Sequence, residues 1–443
     1  MIIFRRLRNF SILNSPFSIR KKTSQFKEKV SNLYIKHATI VTPLGNQAVK
    51  GADMGRLNVI EDGAILIKDG VIRYVGNSNP LRQIYSLFGN GATFKEIDAH
   101  GRVVLPGFVD SHTHMVFGGF RADEFRMRLE GASYMSIMEK GGGIQSTVNA
   151  TREASVAQLV ENAEWLIDRM IAMGVTTVEA KSGYGLDYNS EARMLAAISR
   201  LASKKKIEIV PTFLGAHAVP EEYKGRTGEY VDLIISDMLP KFRKAAKFCD
   251  VFTEKNVFEL EDSRRLMEAA KAMGYKLKFH ADEIVQLGGA ELAAELGAVS
   301  ADHLLHVSDQ GIKDMAEKNV VATLLPLTAF ALKEPYAPAR RMIEAGCAVA
   351  LATDLNPGSC FSGSIPLMIA LACIHMGMTI EEVITALTIN GAAACGLADR
   401  KGSIEPGKDG DLAILEFDNI NMLPYYVGMN CVKTTIAKGK VIH

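Results

Sequence analysis

No Cys-x-x-Cys pair occurs in this chain. The six cysteines, Cys249, Cys347, Cys360, Cys373, Cys395 and Cys431, are scattered, which fits free thiols in a reducing compartment rather than a disulfide framework. An excess of one charge is missing too. The formal net charge is +1, so nothing draws the protein toward nucleic acid or an anionic membrane. No apolar run reaches the length of a membrane span; the longest candidate, Ile365 to Met378, contains His375 and reads as a buried helix. The pattern Gly-x-x-x-x-Gly-Lys-Ser/Thr is absent, as is a Gly-x-Gly-x-x-Gly entering a helix after a strand. No nucleotide cofactor is therefore indicated. What remains is an ordinary globular composition, 48% hydrophobic and 23% charged, over 443 residues. That length suits one large domain with a smaller companion.

The start of the chain lacks acidic residues. Up to Lys27 there are seven Lys or Arg and no Asp or Glu, with Ser and Phe interspersed. A mitochondrial targeting peptide has this composition. A disordered basic tail or a start placed too far upstream would look the same, and no methionine lies between Met1 and Met54. The expected location is the cytoplasm, with mitochondrial import through the basic extension as the alternative.

From Leu33 the texture is β-like. Lys68-Asp-Gly sits between two apolar runs, a hairpin signal. The C-terminal stretches from Gly410 and from Val432 have the same character. Two β-rich ends around a long middle predict one small β-sandwich domain built from both termini. The middle alternates. Apolar runs at about 103–109, 176–181, 207–213, 249–253, 276–280, 298–303, 319–325 and 347–353 are separated by amphipathic segments such as Val156 to Met173 and Asp309 to Glu317. That alternation predicts a (β/α)8 barrel or a doubly wound sheet. The expected layout is a basic extension over 1–32, β-domain segments over 33–100 and 399–443, and a barrel over 101–398.

Chemistry decides for the barrel. His112 and His114 follow the first run at i and i+2, so an extended backbone points both imidazoles to one side. His280 ends the fifth run, His303 the sixth, and Asp354 follows the eighth. Only a closed barrel brings those four ends around one mouth. Three imidazoles and a carboxylate suit zinc or another late first-row metal with a position left for water. Glu283, three residues after His280, is placed to carry protons, and His303 to orient the water or meet a developing oxyanion. Taken alone, Asp354 could equally be a turn or helix-cap residue and Glu283 a solvated loop residue. Arg121 puts a guanidinium just beyond the metal strand, a fitting partner for a carboxylate. Gly141-Gly-Gly-Ile and Lys181-Ser-Gly-Tyr184-Gly are candidate loops closing over a ligand.

With these residues assembled, the chain resembles the amidohydrolase superfamily and, within it, the imidazolonepropionase family. The superfamily resemblance rests on Pro106-Gly-Phe-Val-Asp-Ser-His-Thr-His114 with His280, His303 and Asp354. The narrower one rests on His112-Thr-His-Met-Val-Phe-Gly-Gly-Phe-Arg121, Gly131-Ala-Ser-Tyr134, Glu139-Lys-Gly-Gly-Gly-Ile144, Lys181-Ser-Gly-Tyr-Gly-Leu186, Leu214-Gly-Ala-His217, Phe279-His-Ala-Asp-Glu283 and Thr353-Asp-Leu-Asn-Pro-Gly-Ser359. The resemblance implies one Zn2+ or Fe3+ per chain held by His112, His114, His280 and Asp354. It implies substrate contacts from Arg121, Tyr134, Tyr184, His217, Glu283, Asn356, Gly358 and Ser359, and catalytic roles for Glu283, His303 and Asp354. The reaction implied is hydrolysis of the cyclic amide of 4-imidazolone-5-propanoate to N-formimino-L-glutamate in histidine degradation. Binuclear relatives bridge two metals with a carboxylated lysine, and the pattern calls on neither Lys181 nor Lys255 for that. A small-molecule substrate is expected, with no nucleic acid or membrane partner, and a homodimer is the expected assembly. Two rivals stand beside this reading. A deaminase of a nitrogen heterocycle would use the same metal and His280/Glu283 pair but give Arg121 no anionic partner. A non-catalytic barrel would be expected to have lost ligands, and none is lost.

Overall fold

A computed structural model describes residues 32–89, 94–131 and 142–443. Most of the basic extension, and Tyr134, lie outside the described residues. In chain order the first strands are β1 (Leu33–Thr42), β2 (Asn58–Lys68), β3 (Val71–Asn77), β4 (Lys95–Asp98) and β5 (Val103–Pro106). Then come β6 (Phe108–Asp110), β7 (Val175–Lys181), β8 (Glu208–Ala216), β9 (Phe248–Thr253), β10 (Lys276–Ala281), β11 (Ser300–His303), β12 (Val321–Leu324) and β13 (Ala348–Leu351). The last are β14 (Leu412–Leu415), β15 (Val432–Ala437) and β16 (Lys440–Val441).

The small sheet draws on both ends of the chain, in the order β16-β15-β14-β5-β1-β2-β3, with β4 also on β1. Its β2–β3 hairpin turns on Asp69 and Gly70, whose φ values of +54° and +79° are those of the two-residue turn that follows strand twist. The sheet curls on itself: Val71 bridges Asp409, and Gly410 N–H donates to Gly70 O at 2.7 Å. Ile35, Ile67, Leu412 and Ile436 share the enclosed core.

Strands β6 to β13 are parallel neighbours in chain order. The ring closes just beyond its first and last strands. Thr113 bridges Leu355, Asp354 N–H donates to His112 O at 3.0 Å, and Thr353 N–H donates to Asp110 Oδ1 at 3.0 Å. The closure therefore falls at the level of the expected metal residues. One expectation is corrected here. The run at 103–109 is two strands, β5 in the small sheet and β6 in the barrel. Pro106 has no N–H to extend a ladder, and Gly107 packs where a Cβ would lie 2.3 Å from Thr176 Oγ1, so the chain crosses between sheets at that pair.

The outer helices follow their patterns. In Val156–Ala172, Ser155 and Gln158 form a capping box, and Leu159, Ala163, Leu166, Ile167 and Met170 are buried on one face. Each large apolar side chain so buried contributes roughly 1.5–3 kcal/mol. The helix stops at Gly174, which takes φ +91°, where a Cβ would be strained. Ile365–His375 is, as its composition foretells, largely buried.

Candidate active site

The end of β6 carries Asp110, His112 and His114 to the barrel mouth, where β10 adds His280, β11 adds His303 and the turn after β13 adds Asp354. All are at most 2% exposed. His112 and His114 have their Nε2 atoms 3.3 Å apart, as do His114 and His280. Asp354 Oδ1 lies 3.6 Å from His112 Nε2 and 3.5 Å from His114 Nε2. Four atoms placed tetrahedrally about 2.0–2.1 Å from one ion would be about 3.3–3.4 Å apart. These four separations match donors around one zinc-sized ion, and the ligand atoms of His112, His114 and Asp354 lie within 4.8 Å of one another, as do those of His112, His280 and His303 and those of His114, His217 and His280. Two observations support the fit. Asp354 Oδ2 accepts from Thr328 Oγ1 at 2.6 Å, while its buried Oδ1 finds no hydrogen-bond partner among the described residues. Burial, more than any neighbouring charge, holds the pKa values of His112, His114 and His303 well below the ordinary histidine range, and neutral is the form that metal ligation needs of His112 and His114. Burial likewise lifts the Asp354 carboxyl to about 6.

Beneath the imidazoles lies a fully buried charge layer. His112 Nδ1 donates to Asp302 Oδ2 at 2.6 Å, and His280 Nδ1 donates to Asp250 Oδ1 at 3.1 Å. With Nδ1 engaged by a carboxylate, each ring turns its Nε2 toward the cluster. Lys181 Nζ donates to Asp250 Oδ2 at 2.6 Å and Glu179 Oε1 at 2.8 Å, and Lys278 Nζ donates to Ser111 O at 2.9 Å. Although burial opposes its charge, Asp250, Glu179 and Asp302 raise the Lys181 pKa. Lys181 is thus engaged by Asp250 and Glu179 in this layer, and Lys255 is exposed.

Above the cluster opens a cavity of about 300 Å³ lined by His114, His217, His280, His303, Asp354, Glu283, Tyr184, Arg121, Asn356, Gly358 and Ser359, among others. The structure thus lines this cavity with every described residue of the predicted set except the deeper His112. Glu283 faces His303, Oε2 to Nε2, at 3.5 Å. Burial first, then the charges of Asp354 and Glu254, push its pKa well above the usual carboxylate range. His303 takes φ +75°, a costly conformation for a residue with a Cβ, and neither of its ring nitrogens is hydrogen-bonded among the described residues.

The glycine loop after β7 is tied down by buried Glu191, which accepts from the N–H groups of Gly183, Gly185 and Leu186 at 2.8–3.1 Å. This fixes Tyr184 in the cavity wall at 4% exposure. His217 Nδ1 donates to Gly183 O at 3.0 Å, and its ring stacks on His114 with centroids 4.8 Å apart. Asn356 builds the loop after β13. Its Oδ1 accepts from Gly358 N and Ser359 N at 2.8 Å, and its Nδ2 donates to Asp354 O at 2.8 Å. Asn356 therefore shapes the wall on which Gly358 and Ser359 stand. Arg121 Nε donates to Glu124 Oε2 at 2.9 Å, leaving the rest of its guanidinium on the cavity.

Sequence reasoning missed Asp250, Asp302, Glu124 and Arg128. Arg128 also lines the cavity. A signal for the last two was present: Arg121, Glu124 and Arg128 are spaced as one face of a helix, and the helix Ala122–Leu129 is there.

Barrel, curled sheet and a donor cluster that could hold a metal ion are the arrangement of a hydrolase of the amidohydrolase type. The amidohydrolase family model matches residues 103–442. Solved structures agree on the fold: a triazine hydrolase variant superposes with TM-score 0.72 at 17% identity, covering 93% of this chain and 94% of that one. A guanine deaminase from E. coli gives 0.67 at 16% identity, covering 93% and 99%. Much nearer in sequence are imidazolonepropionases. That of Bacteroides thetaiotaomicron is 61% identical over 92% of this chain and 98% of its own. Those of Phocaeicola vulgatus and Clostridium tetani are 58% and 56% identical, over 93% and 94% of this chain and 99% of theirs. The chain belongs to the amidohydrolase family and, within it, to the imidazolonepropionases.

Proposed function

We propose that this chain hydrolyses the ring amide of 4-imidazolone-5-propanoate to N-formimino-L-glutamate, with one zinc or iron ion held by His112, His114, His280 and Asp354. The observation that carries the reading is one cavity joining this donor cluster to the guanidinium of Arg121. Bound there, the ion would polarise the ring carbonyl and make water acidic enough to attack near neutrality. The chain's own residues do the rest. Glu283 takes a proton from the attacking water and gives it to the ring nitrogen as the C–N bond breaks. The water oxygen ends in the new carboxylate, so one water is consumed and no group leaves. His303 is aimed at the carbonyl oxygen as its charge develops. Arg121 holds the propanoate, and Tyr184, His217 and Ser359 enclose the ring. A heterocycle deaminase would offer Arg121 no anion. The relatives of this name come from bacteria, which supports the cytoplasm as the place of work.

Arg121 provides the test. Losing one member of a desolvated charge pair costs on the order of 2–5 kcal/mol. Arg121→Met should lower kcat/KM for imidazolone propanoate by about 30-fold or more and leave an imidazolone without the carboxylate, already a poor substrate, nearly unaffected. Equal losses on both would make Arg121 structural and remove the main support for this substrate.

A further inference from the structure

Arg121, Glu124, Phe125 and Arg128 follow one another at i, i+3, i+4 and i+7 along the helix Ala122–Leu129 and its N-cap, so they share a face. That face meets the loop after β13. Arg128 Nη2 donates to Gly358 O at 3.0 Å, and the rings of Phe125 and Phe361 lie 4.5 Å apart. Arg121 presses so closely on Gly358 that a Cβ there would be 2.1 Å from its Nη1. Among the described residues of this face, Glu124 brings the opposite charge. Its Oε2 already accepts from Arg121 Nε at 2.9 Å and Gly143 N at 3.1 Å. Two guanidinium groups against one carboxylate leave a positive charge unmatched at the cavity wall among the described residues. Burial, then the nearness of Arg121, lower the Arg128 pKa, as expected of two cations crowded in a partly dry place. Such crowding is unfavourable until an anion joins it.

We infer that Arg128 is a second carboxylate-binding residue, gripping the substrate's side-chain carboxylate together with Arg121 and linking that grip, through Gly358, to the loop that begins at Asp354. The inference rests on the reaction proposed above. It explains selection: a neutral heterocycle would leave both cations facing each other, whereas one carboxylate on a short arm satisfies them. It also orients the reaction, because the new carboxylate forms at the histidine cluster while the original one stays with the arginines.

Two measurements test it. The first is calorimetric binding of imidazole propanoate, which keeps the carboxylate and lacks the ring carbonyl, to the metal-loaded wild type, Arg128→Gln and Arg128→Lys. Arg128→Gln should weaken binding about 10-fold or more, and Arg128→Lys less, since it keeps charge but loses the two-pronged donor. Ethylimidazole, without the carboxylate, should bind all three alike. The second is turnover of imidazolone propanoate, where Arg128→Gln should raise KM about 10-fold with kcat changed less than about threefold. Equal weakening of both ligands, or a fall in kcat at unchanged KM, would make Arg128 only a strut for the loop and overturn the inference. A wild type that binds imidazole propanoate yet does not hydrolyse imidazolone propanoate would sink the proposed reaction and leave the carboxylate grip standing. A wild type that does neither would overturn both.

Discussion

On the proposed mechanism Glu283 touches substrate, whereas Asp302 holds the His112 ring in place through Nδ1. Glu283→Gln keeps the shape and removes the proton carrier. Metal content should be unchanged while kcat falls about 100-fold or more, seen by elemental analysis beside steady-state kinetics; retained turnover would reduce Glu283 to a binding residue. Asp302→Asn weakens the tether on His112 Nδ1 and should cost about 10–100-fold in metal affinity, measured by chelator competition with the fold checked by circular dichroism. The two groups were unequally legible. His112, His114, His280, His303 and Asp354 could be read because each ends an apolar run, an unusual place for a polar side chain. Asp250, Asp302 and Lys181 could not, since their partners come from strands far apart in the chain and a buried charge spells the same as a surface one.

Elements were legible where the period is clear. The barrel's alternation and the helices around Val156 and Asp309 follow from spacing of apolar residues. The crossing at Pro106 and Gly107 did not, because β5 and β6 are both buried and read as one run. The glycine loop after β7 allows a test of how backbone places a side chain. Gly183 has φ +113°, and a Cβ would meet Leu214 O at 2.7 Å. Gly183→Ala should cost about 1–3 kcal/mol, lower the melting temperature, and reduce kcat/KM by displacing Tyr184. Unchanged activity and melting would mean that the loop relaxes freely.

Across the whole molecule, Glu208 at the start of β8 pairs with Arg400 at 2.8 Å and with Lys438 at 3.4 Å, joining the barrel to the chain that returns to the small sheet. Burial raises its pKa, but Arg400, Lys401 and Lys438 outweigh burial and lower it. A lowered carboxyl stabilises the fold fully above the unfolded value, about 4.3, and loses that contribution as pH falls through the folded value. Glu208→Gln should therefore lower the urea midpoint at neutral pH, with the difference from wild type shrinking in acid; a constant difference would mean that packing, not charge, is responsible. The central claim concerns which bond is broken. Purified chain added to 4-imidazolone-5-propanoate should abolish the ring absorbance and yield one N-formimino-L-glutamate per substrate with no ammonia. Persistent absorbance at full metal loading, or release of ammonia, would contradict it.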